Sequence, residues 1–186
     1  QLTRIGWTSG GASQVAVADG GTGAAIGLTS PAPWNVNLKL ENPQPAGERP
    51  AFSEGEQIFL SASVSRASPL YCYFTDSGGT VMRLLPNALQ PHSLVSADQS
   101  IRIPDWMAPN PGFILDAGKP GTESVTCVAT KEDATPKLPP GMQLPALTAL
   151  QGVQGAQSVQ QQFGAALGQD NYVAQTLQWQ VVPRRN

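Results

Sequence analysis

The sequence predicts a mainly β protein, either an antiparallel β-sandwich or a partly open barrel, with one broken helix near the C-terminus and a final strand after it. Three observations support this class. Short segments in which apolar and polar residues alternate follow one another along most of the chain. The 19 glycines and 17 prolines place turn signals between these segments. After residue 141 the apolar spacing changes to every three or four residues, which is typical of a helix.

The predicted strands occupy the middle of the chain and its end. Residues 34–42 (WNVNLKLEN) and 54–65 (EGEQIFLSASVS) each alternate apolar and polar side chains. Residues 75–79 (TDSGG) predict a hairpin turn between strands at 70–74 and 80–85, because glycine adopts the positive φ that such turns need. Further short strands are predicted at 100–103, 112–117, 123–130 and 174–183. Such a series is typical of a sandwich or a barrel.

The helical part falls in residues 142–168, inserted before the last strand. Apolar residues recur from Leu147 to Leu167 at helical spacing, and the polar side is mostly Gln. Gly152 and Gly155 weaken the middle of this segment by about 1 kcal/mol each relative to Ala. We therefore expect one broken helix, or two short helices of which the second lies near 157–167 and stops at Gly168.

The chain divides into a lead-in and one domain. Residues 1–30 are rich in Gly and Ser and are expected to be irregular, with one or two short strands near 5–7 and 14–18. The glycines of 21–27 are spaced somewhat like a phosphate-binding loop, but no strong strand precedes them and no helix follows, which favours a linker. Residues 31–186 are predicted to form a β-rich accessory domain that includes the helical insertion.

Both cysteines fall on the apolar faces of predicted strands. Cys72 shares its face with Leu70 and Phe74, which we expect to be core, and Cys127 shares its face with Val125. A structural disulfide is favoured, and two buried free thiols are the alternative. A disulfide would close a loop of over fifty residues and add about 4 kcal/mol on the chain-entropy estimate. It would also indicate an oxidising compartment.

The aromatic residues suggest a candidate binding face. Tyr71 and Tyr73 share the side of their strand opposite to Cys72, and with Trp106 they form a candidate platform for a sugar or a peptide, with Trp34 as a further member. The alternative is structural: the two tyrosines would pack against a cross-strand neighbour or be covered by the helix.

Composition excludes two classes of partner. Charged residues make up 13% of the chain and the net charge is −2, so the basic field that binds nucleic acid is absent. The chain has no continuous apolar run of the roughly eighteen residues that a membrane-spanning helix needs, so no membrane span is predicted.

No catalytic residue, cofactor or metal site is predicted. His92, the only histidine, lies in a Gln-Pro-His-Ser loop without the context of a hydrolase nucleophile. The carboxylates fall mostly in turns, and their spacing selects neither a catalytic pair nor a calcium loop. Two distant cysteines and one histidine are a poor set of metal ligands. We therefore expect a protein that is not an enzyme.

Five short motifs occur in a defined order, which is F-x-x-G-E at 52–56, L-Y-C-Y-F at 70–74, R-L-L-P-N at 83–87, I-R-I-P at 101–104 and E-S-V-T-C-V-A at 123–129. This series resembles the bacterial domain of unknown function 4384 family, whose members are attached to caspase-like peptidases, protein kinases and envelope lipoproteins. The resemblance covers residues 35–130. It implies a non-enzymatic, β-rich accessory module, usually from Gram-negative bacteria and often exported, in which Cys72 and Cys127 match paired cysteines.

These features together predict a non-catalytic, exported protein-interaction module of a bacterial cell-envelope or secretion assembly, in the periplasm or associated with the outer membrane. An exposed sheet edge or the Tyr71/Tyr73 face would meet an envelope or secretion-system protein. The alternative is a glycan- or peptidoglycan-binding module that uses the aromatic face. Because the first residue is Gln1 rather than Met, we expect a processed or trimmed chain, whose signal peptide or lipid anchor would lie upstream.

Overall fold

The structure, a computed structural model, describes residues 2–5 and 33–185, with side chains from residue 33 onward. The strands of this part are β1 (Leu2–Ile5), β2 (Val36–Leu40), β3 (Ala51–Ser53), β4 (Leu60–Val64), β5 (Ser68–Thr75), β6 (Val81–Leu85), β7 (Leu94–Val95), β8 (Ile101–Ile103), β9 (Gly121–Thr130) and β10 (Tyr172–Val182). The helices in the same residues are α1 (Ala156–Leu167) and short 3-10 turns at Thr135–Lys137, Pro140–Met142 and Gln169–Asn171.

The strands form two sheets. The larger sheet has the order β1-β10-β9-β5-β6, with β3 also paired to β10 and β7 to β5, and the smaller sheet has the order β2-β4-β8. All pairings are antiparallel except that of β3 with β10, which is parallel. The mainly β prediction is confirmed, and the strands that the structure describes do not close into a barrel.

The first core lies between the two sheets. Its buried side chains come from alternate positions of the facing strands: Val36 and Leu38 of β2, Leu60, Ala62 and Val64 of β4, Leu70, Cys72 and Phe74 of β5, Val125, Cys127 and Ala129 of β9, and Leu177, Trp179 and Val181 of β10. Because apolar side chains of both sheets interdigitate here, this core stabilises the sandwich.

A second core lies on the opposite face of the larger sheet, under α1 and the segment 134–153. The sheet contributes Tyr71, Tyr73, Val128, Tyr172 and Ala174, and the covering layer contributes Leu138, Met142, Leu150, Val153, Val159 and Phe163. Successive residues of a strand point to opposite faces, so β5 contributes to both cores. The predicted division of residues 70–74 between two faces is therefore confirmed.

The predicted hairpin between β5 and β6 is also confirmed. Asp76 N–H donates to the carbonyl oxygen of Thr80 at 3.0 Å, and Gly79 has a φ of 89°. The Asp76 carboxylate accepts from the Gly78 and Thr80 N–H groups, both at 2.9 Å. This local bonding fixes the register of the two strands.

The helical prediction is correct only for its second half. Helix α1 (Ala156–Leu167) has Gly168 as its C-cap, as expected, but residues 143–155 are not helical. Instead, the N–H groups of Leu147, Leu150 and Gly155 donate to the carbonyl oxygens of Arg83, Val81 and Gly79, at 2.9, 2.8 and 2.8 Å. Segment 147–155 therefore covers the outer edge of β6, where unpaired backbone groups offered an alternative to helix formation. Gly152 and Gly155 adopt φ values of 77° and 82°, outside the helical region.

Several strand predictions need correction. Strand β4 is shorter than the predicted 54–65. Residues 112–117 do not form a strand but contribute an isolated bridge between Gln57 and Asp116. Strands β3 and β7 were not predicted, since neither is long enough for alternation to be recognised. The parallel β3 makes the larger sheet mixed rather than purely antiparallel.

Most of the lead-in at 1–30 lies outside the described residues, including the strand expected at 14–18 and the glycines of 21–27. Strand β1 ends at Ile5, the first residue of the strand expected near 5–7. Of the helices in the described residues, none has the length and apolar character needed to cross a membrane.

Candidate functional site

The two cysteines form a disulfide at the centre of the larger sheet. Cys72 on β5 and Cys127 on β9 are directly opposite in the strand register, with their Sγ atoms 2.07 Å apart. Both are fully buried in the first core. The predicted disulfide is confirmed, and its surroundings give it a structural role because no partner molecule can reach it.

The two tyrosines of the predicted binding face are buried. Tyr71 and Tyr73 lie beneath α1, where their rings are 5.7 and 5.9 Å from the ring of Phe163. The structural alternative, coverage by the helix, describes their position. An exposed platform built on these two rings is therefore absent.

The third member of the predicted face, Trp106, lies on the other side of the larger sheet. It follows β8 and is 36% exposed. Its ring is 5.4 Å from that of Phe59, and the Arg102 guanidinium carbon lies 5.9 Å from its centroid. Trp34, the further candidate, is buried in the first core and donates from its indole nitrogen to Ser68 Oγ at 3.0 Å. The structure thus brings the tyrosines together but places both tryptophans elsewhere.

A different surface has the shape of a binding site. We call it the Arg83 groove; it measures about 610 Å³ and is lined by Arg83, Pro86, Leu89, Pro91, Pro145 and Leu147, among others. Leu89 is 52% exposed and Leu147 is 40% exposed. Two large apolar side chains therefore meet solvent within one concave surface, which is typical of a place where another molecule binds.

The wall that carries Leu89 is held by the side chain of Asn87. Its Nδ2 donates to the Leu84 carbonyl oxygen at 2.9 Å, and its Oδ1 accepts from the N–H groups of Leu89 and Gln90, both at 2.9 Å. This is the local bonding that Asn provides in turns. The Leu-Pro-Asn sequence at 85–87 therefore has a structural role, and its effect is to present Leu89.

The opposite wall carries Leu147 in an unusual backbone conformation. Its φ is 65°, in the left-handed region that non-glycine residues rarely adopt. Its N–H donates to the Arg83 carbonyl oxygen at 2.9 Å, which fixes the residue against β6. Such a conformation costs on the order of 1 kcal/mol or more. The fold keeps it, and it directs an apolar side chain to the groove.

Arg83 forms the floor between these walls. It is half-buried, and its guanidinium donates from Nε to the Pro86 carbonyl oxygen at 2.9 Å and from Nη1 to the Leu144 carbonyl oxygen at 3.0 Å. It forms no ion pair with any residue that the structure describes. The guanidinium is thus fixed in position while its charge stays available.

A smaller cavity of about 210 Å³ adjoins the groove and shares Arg83, Pro86 and Pro91 with it. We call it the tyrosine cavity, because Tyr71 and Tyr73 line it together with Thr135, Met142 and Gln143. Burial raises the pKa of the Tyr73 hydroxyl well above its usual value, while the nearby charge of Arg83 lowers it by less. Both tyrosines are therefore neutral hydrogen-bonding groups here.

His92 is exposed in the loop before β7. Within the described residues, no group of three or more His, Cys, Asp and Glu side chains could hold a metal ion. The one fully buried carboxylate in that part of the chain, Glu123, accepts from Trp179 Nε1 and Gly118 N–H, both at 3.0 Å. These bonds connect it to the core rather than to a cavity.

The fold and the groove define a β-sandwich module with an apolar surface concavity. Residues 51–133 match the model of a family described as Domain of unknown function (DUF4384), and the resemblance is confirmed over this segment. The matched segment runs from β3 through β9 and includes Arg83 and Leu89, whereas Leu147 and α1 lie outside it. A comparison with curated proteins finds no match to this chain.

The Arg83 groove was not predicted from the sequence. Two signals were present: a cation in the otherwise apolar strand "VMRLL", and Leu89 in a polar, proline-bounded loop. Neither shows which side chains meet across the groove, because its second wall comes from residues 145–147, far along the chain.

Proposed function

We propose that this chain is a non-catalytic, exported protein-interaction module of a bacterial cell-envelope or secretion assembly. The observation that supports it most directly is the Arg83 groove, in which Leu89 and Leu147 are exposed in one concavity. Apolar side chains that are grouped in a concave surface gain free energy when a partner removes them from water.

Export is supported by the buried disulfide. Cys72 and Cys127 are joined inside the first core. Disulfides of this kind form and persist in oxidising compartments. The bacterial envelope setting is supported by the family of residues 51–133, because the resemblance implies modules of exported and envelope proteins.

The partner is expected to be a protein rather than a glycan. Glycan-binding surfaces use exposed aromatic rings, and Tyr71 and Tyr73 are covered by α1. Peptidoglycan or glycan binding stays the alternative, and it would depend on Trp106, which keeps part of its surface exposed.

The test is capture of the partner in the native compartment by chemical cross-linking, with two matched variants. Leu89→Asp places a charge in the groove, and Leu94→Asp places the same charge on β7, where Leu94 is 68% exposed. Both positions are exposed, so neither variant is expected to change the thermal unfolding temperature by more than a few degrees.

The proposal predicts that the wild type and Leu94→Asp capture one stoichiometric protein, and that Leu89→Asp captures at least about tenfold less, as expected when a buried apolar contact becomes a desolvated charge. Equal capture by both variants would show that the groove is not the binding surface. Retention on insoluble peptidoglycan without a protein partner would favour the alternative.

A further inference from the structure

The tyrosine cavity combines a fixed cation, a hydroxyl without a partner in the described residues, and three lining residues shared with the apolar groove. We propose that this cavity binds the C-terminal carboxylate of a partner polypeptide, with the preceding residues of that polypeptide lying in the Arg83 groove. This inference rests on the proposed interaction function and names the chemistry of its binding site.

Arg83 supplies the charge and the free donors. A guanidinium has five N–H groups, and two of them bind the carbonyl oxygens of Pro86 and Leu144. The remaining donors have no partner among the residues that the structure describes, and no carboxylate of those residues is paired with this side chain. A guanidinium presents donors in a fork that matches the two oxygens of a carboxylate.

Tyr73 supplies the second observation. Its hydroxyl has no hydrogen-bond partner within the described part of the chain, although the side chain is fully buried in the wall of the cavity. An unpaired buried hydroxyl is unfavourable unless something else binds it. An acceptor atom in the cavity, next to Arg83, would give this hydroxyl its partner.

The charge of the lining selects a monoanion. Among the described residues that line the cavity and the groove, Arg83 is the one charged side chain. The Asp133 carboxylate, two residues before Thr135 of the cavity lining, already accepts from the Tyr71 hydroxyl at 2.6 Å and from Thr135 N–H at 3.1 Å. One guanidinium compensates one negative charge, which favours a carboxylate over a phosphate dianion.

The shape selects a chain end. The cavity of about 210 Å³ has room for a terminal residue, and it adjoins the groove of about 610 Å³, with which it shares Arg83, Pro86 and Pro91. Leu89 and Leu147 line the larger space and would contact the residues before the terminus. Capture of a terminal carboxylate by fixed donors is a known mode of peptide recognition.

The test uses the full chain labelled with ¹⁵N and an equimolar set of N-acetylated tripeptides of apolar residues with free carboxylates. The control is the same set with C-terminal carboxamides. The acids are expected to shift the NMR signals of the Arg83 Nε–H and of the Thr135 and Gln143 amides, and to bind at least about tenfold more tightly than the amides. Equal affinity of acids and amides, or shifts that map away from the cavity, would overturn the proposal.

Two variants make the test specific. Arg83→Gln should abolish the difference between acids and amides, but Arg83 also holds two backbone carbonyls, so this variant alone could report a loosened loop. Tyr73→Phe removes only an unpartnered hydroxyl, so its unfolding temperature should match that of the wild type. It should bind the acids about tenfold more weakly. Wild-type affinity in Tyr73→Phe would contradict the role of the hydroxyl.

Failure of this inference can be told apart from failure of the proposed function. If Tyr73→Phe captures the cross-linked partner as well as the wild type does, and a partner without its last residue is still captured, the interaction module stands and the carboxylate site is wrong. If tripeptide acids bind but no partner is captured in the native compartment, the carboxylate site stands and the proposed interaction function is wrong.

Discussion

Tyr71 and Tyr73 lie on the same face of β5, but their buried hydroxyl groups affect the stability of the fold in opposite directions. Both rings pack against Phe163, so their apolar contributions are similar. The Tyr71 hydroxyl donates to Asp133 Oδ1 at 2.6 Å and accepts from the N–H of buried Ala134 at 2.9 Å. The Tyr73 hydroxyl has no partner among the described residues. Burial opposes the ionised form of both, so each pKa is raised.

We therefore expect Tyr71→Phe and Tyr73→Phe to differ in stability. Tyr71→Phe should lower the free energy of unfolding by about 1–3 kcal/mol, because it leaves a buried N–H without an acceptor. Tyr73→Phe should change it by no more than about 0.5 kcal/mol or raise it slightly, since no hydrogen bond is lost. Urea denaturation measures both values. A loss in Tyr73→Phe as large as that in Tyr71→Phe would show that the Tyr73 hydroxyl is bonded within the protein.

Two carboxyl groups make opposite contributions to the pH dependence of stability. Burial raises the pKa of Glu123 above its usual 4.5, although the bonds from Trp179 and Gly118 lower it in part. The bond from the Tyr71 hydroxyl lowers the pKa of Asp133 below its usual 3.8. Between pH 4.5 and its raised pKa, Glu123 binds more protons in the folded state than in the unfolded state, so stability falls as pH rises. For Asp133 the sign is reversed, and stability is lost as pH falls below 3.8.

We expect Glu123→Gln to flatten the decline in unfolding free energy above pH 4.5. The loss of stability at acid pH, below pH 3.8, should stay unchanged in this variant. Asp133→Asn is the matched control and should flatten only the acid limb, below pH 3.8. Urea denaturation of the wild type and both variants from about pH 3 to 7 provides the comparison. If Glu123→Gln keeps the wild-type slope above pH 4.5, the assigned direction of its pKa shift is wrong.

At the scale of elements, the sequence predicted those whose signal is local. In strands β5, β9 and β10, the two faces of the strand could be assigned from alternate residues over many positions. The hairpin turn could be recognised because it has a glycine where positive φ is needed. The helix predicted over segment 147–155 was wrong because the apolar residues of this segment fit helical spacing without forming a helix. What decided its conformation was the free edge of β6, a partner distant in sequence.

The same limit explains why the candidate site was only half visible. Residue type indicated that Tyr71 and Tyr73 would share a face, and they do. Whether that face meets solvent depended on α1, whose docking on the larger sheet no local pattern specifies. The groove needs Leu89 and Leu147 from two loops far apart in the chain, so its position is a property of tertiary packing.

At the scale of the whole molecule, the larger sheet is shared by two cores, and its central strands connect them. Strands β5, β9 and β10 present one set of side chains to the smaller sheet and the other set to α1. The disulfide joins β5 to β9 within this central region, across a sequence separation of 55 residues. The chain between the two cysteines includes β6, β7 and β8, so the bond restrains both the groove wall and an edge of the smaller sheet.

The double variant Cys72→Ala/Cys127→Ala should therefore lose about 4 kcal/mol of unfolding free energy, the chain-entropy value for a loop of this size. That is a large share of the roughly 5–15 kcal/mol that stabilises an average domain. Urea denaturation under oxidising and reducing conditions measures the loss, and reductant should lower the midpoint of the wild type but not that of the double variant, which is the internal control. Because the bond acts on the unfolded chain, the variant should keep the wild-type circular dichroism spectrum before unfolding begins. An unchanged midpoint in the double variant would mean that the two cores hold the sheets together without the cross-link.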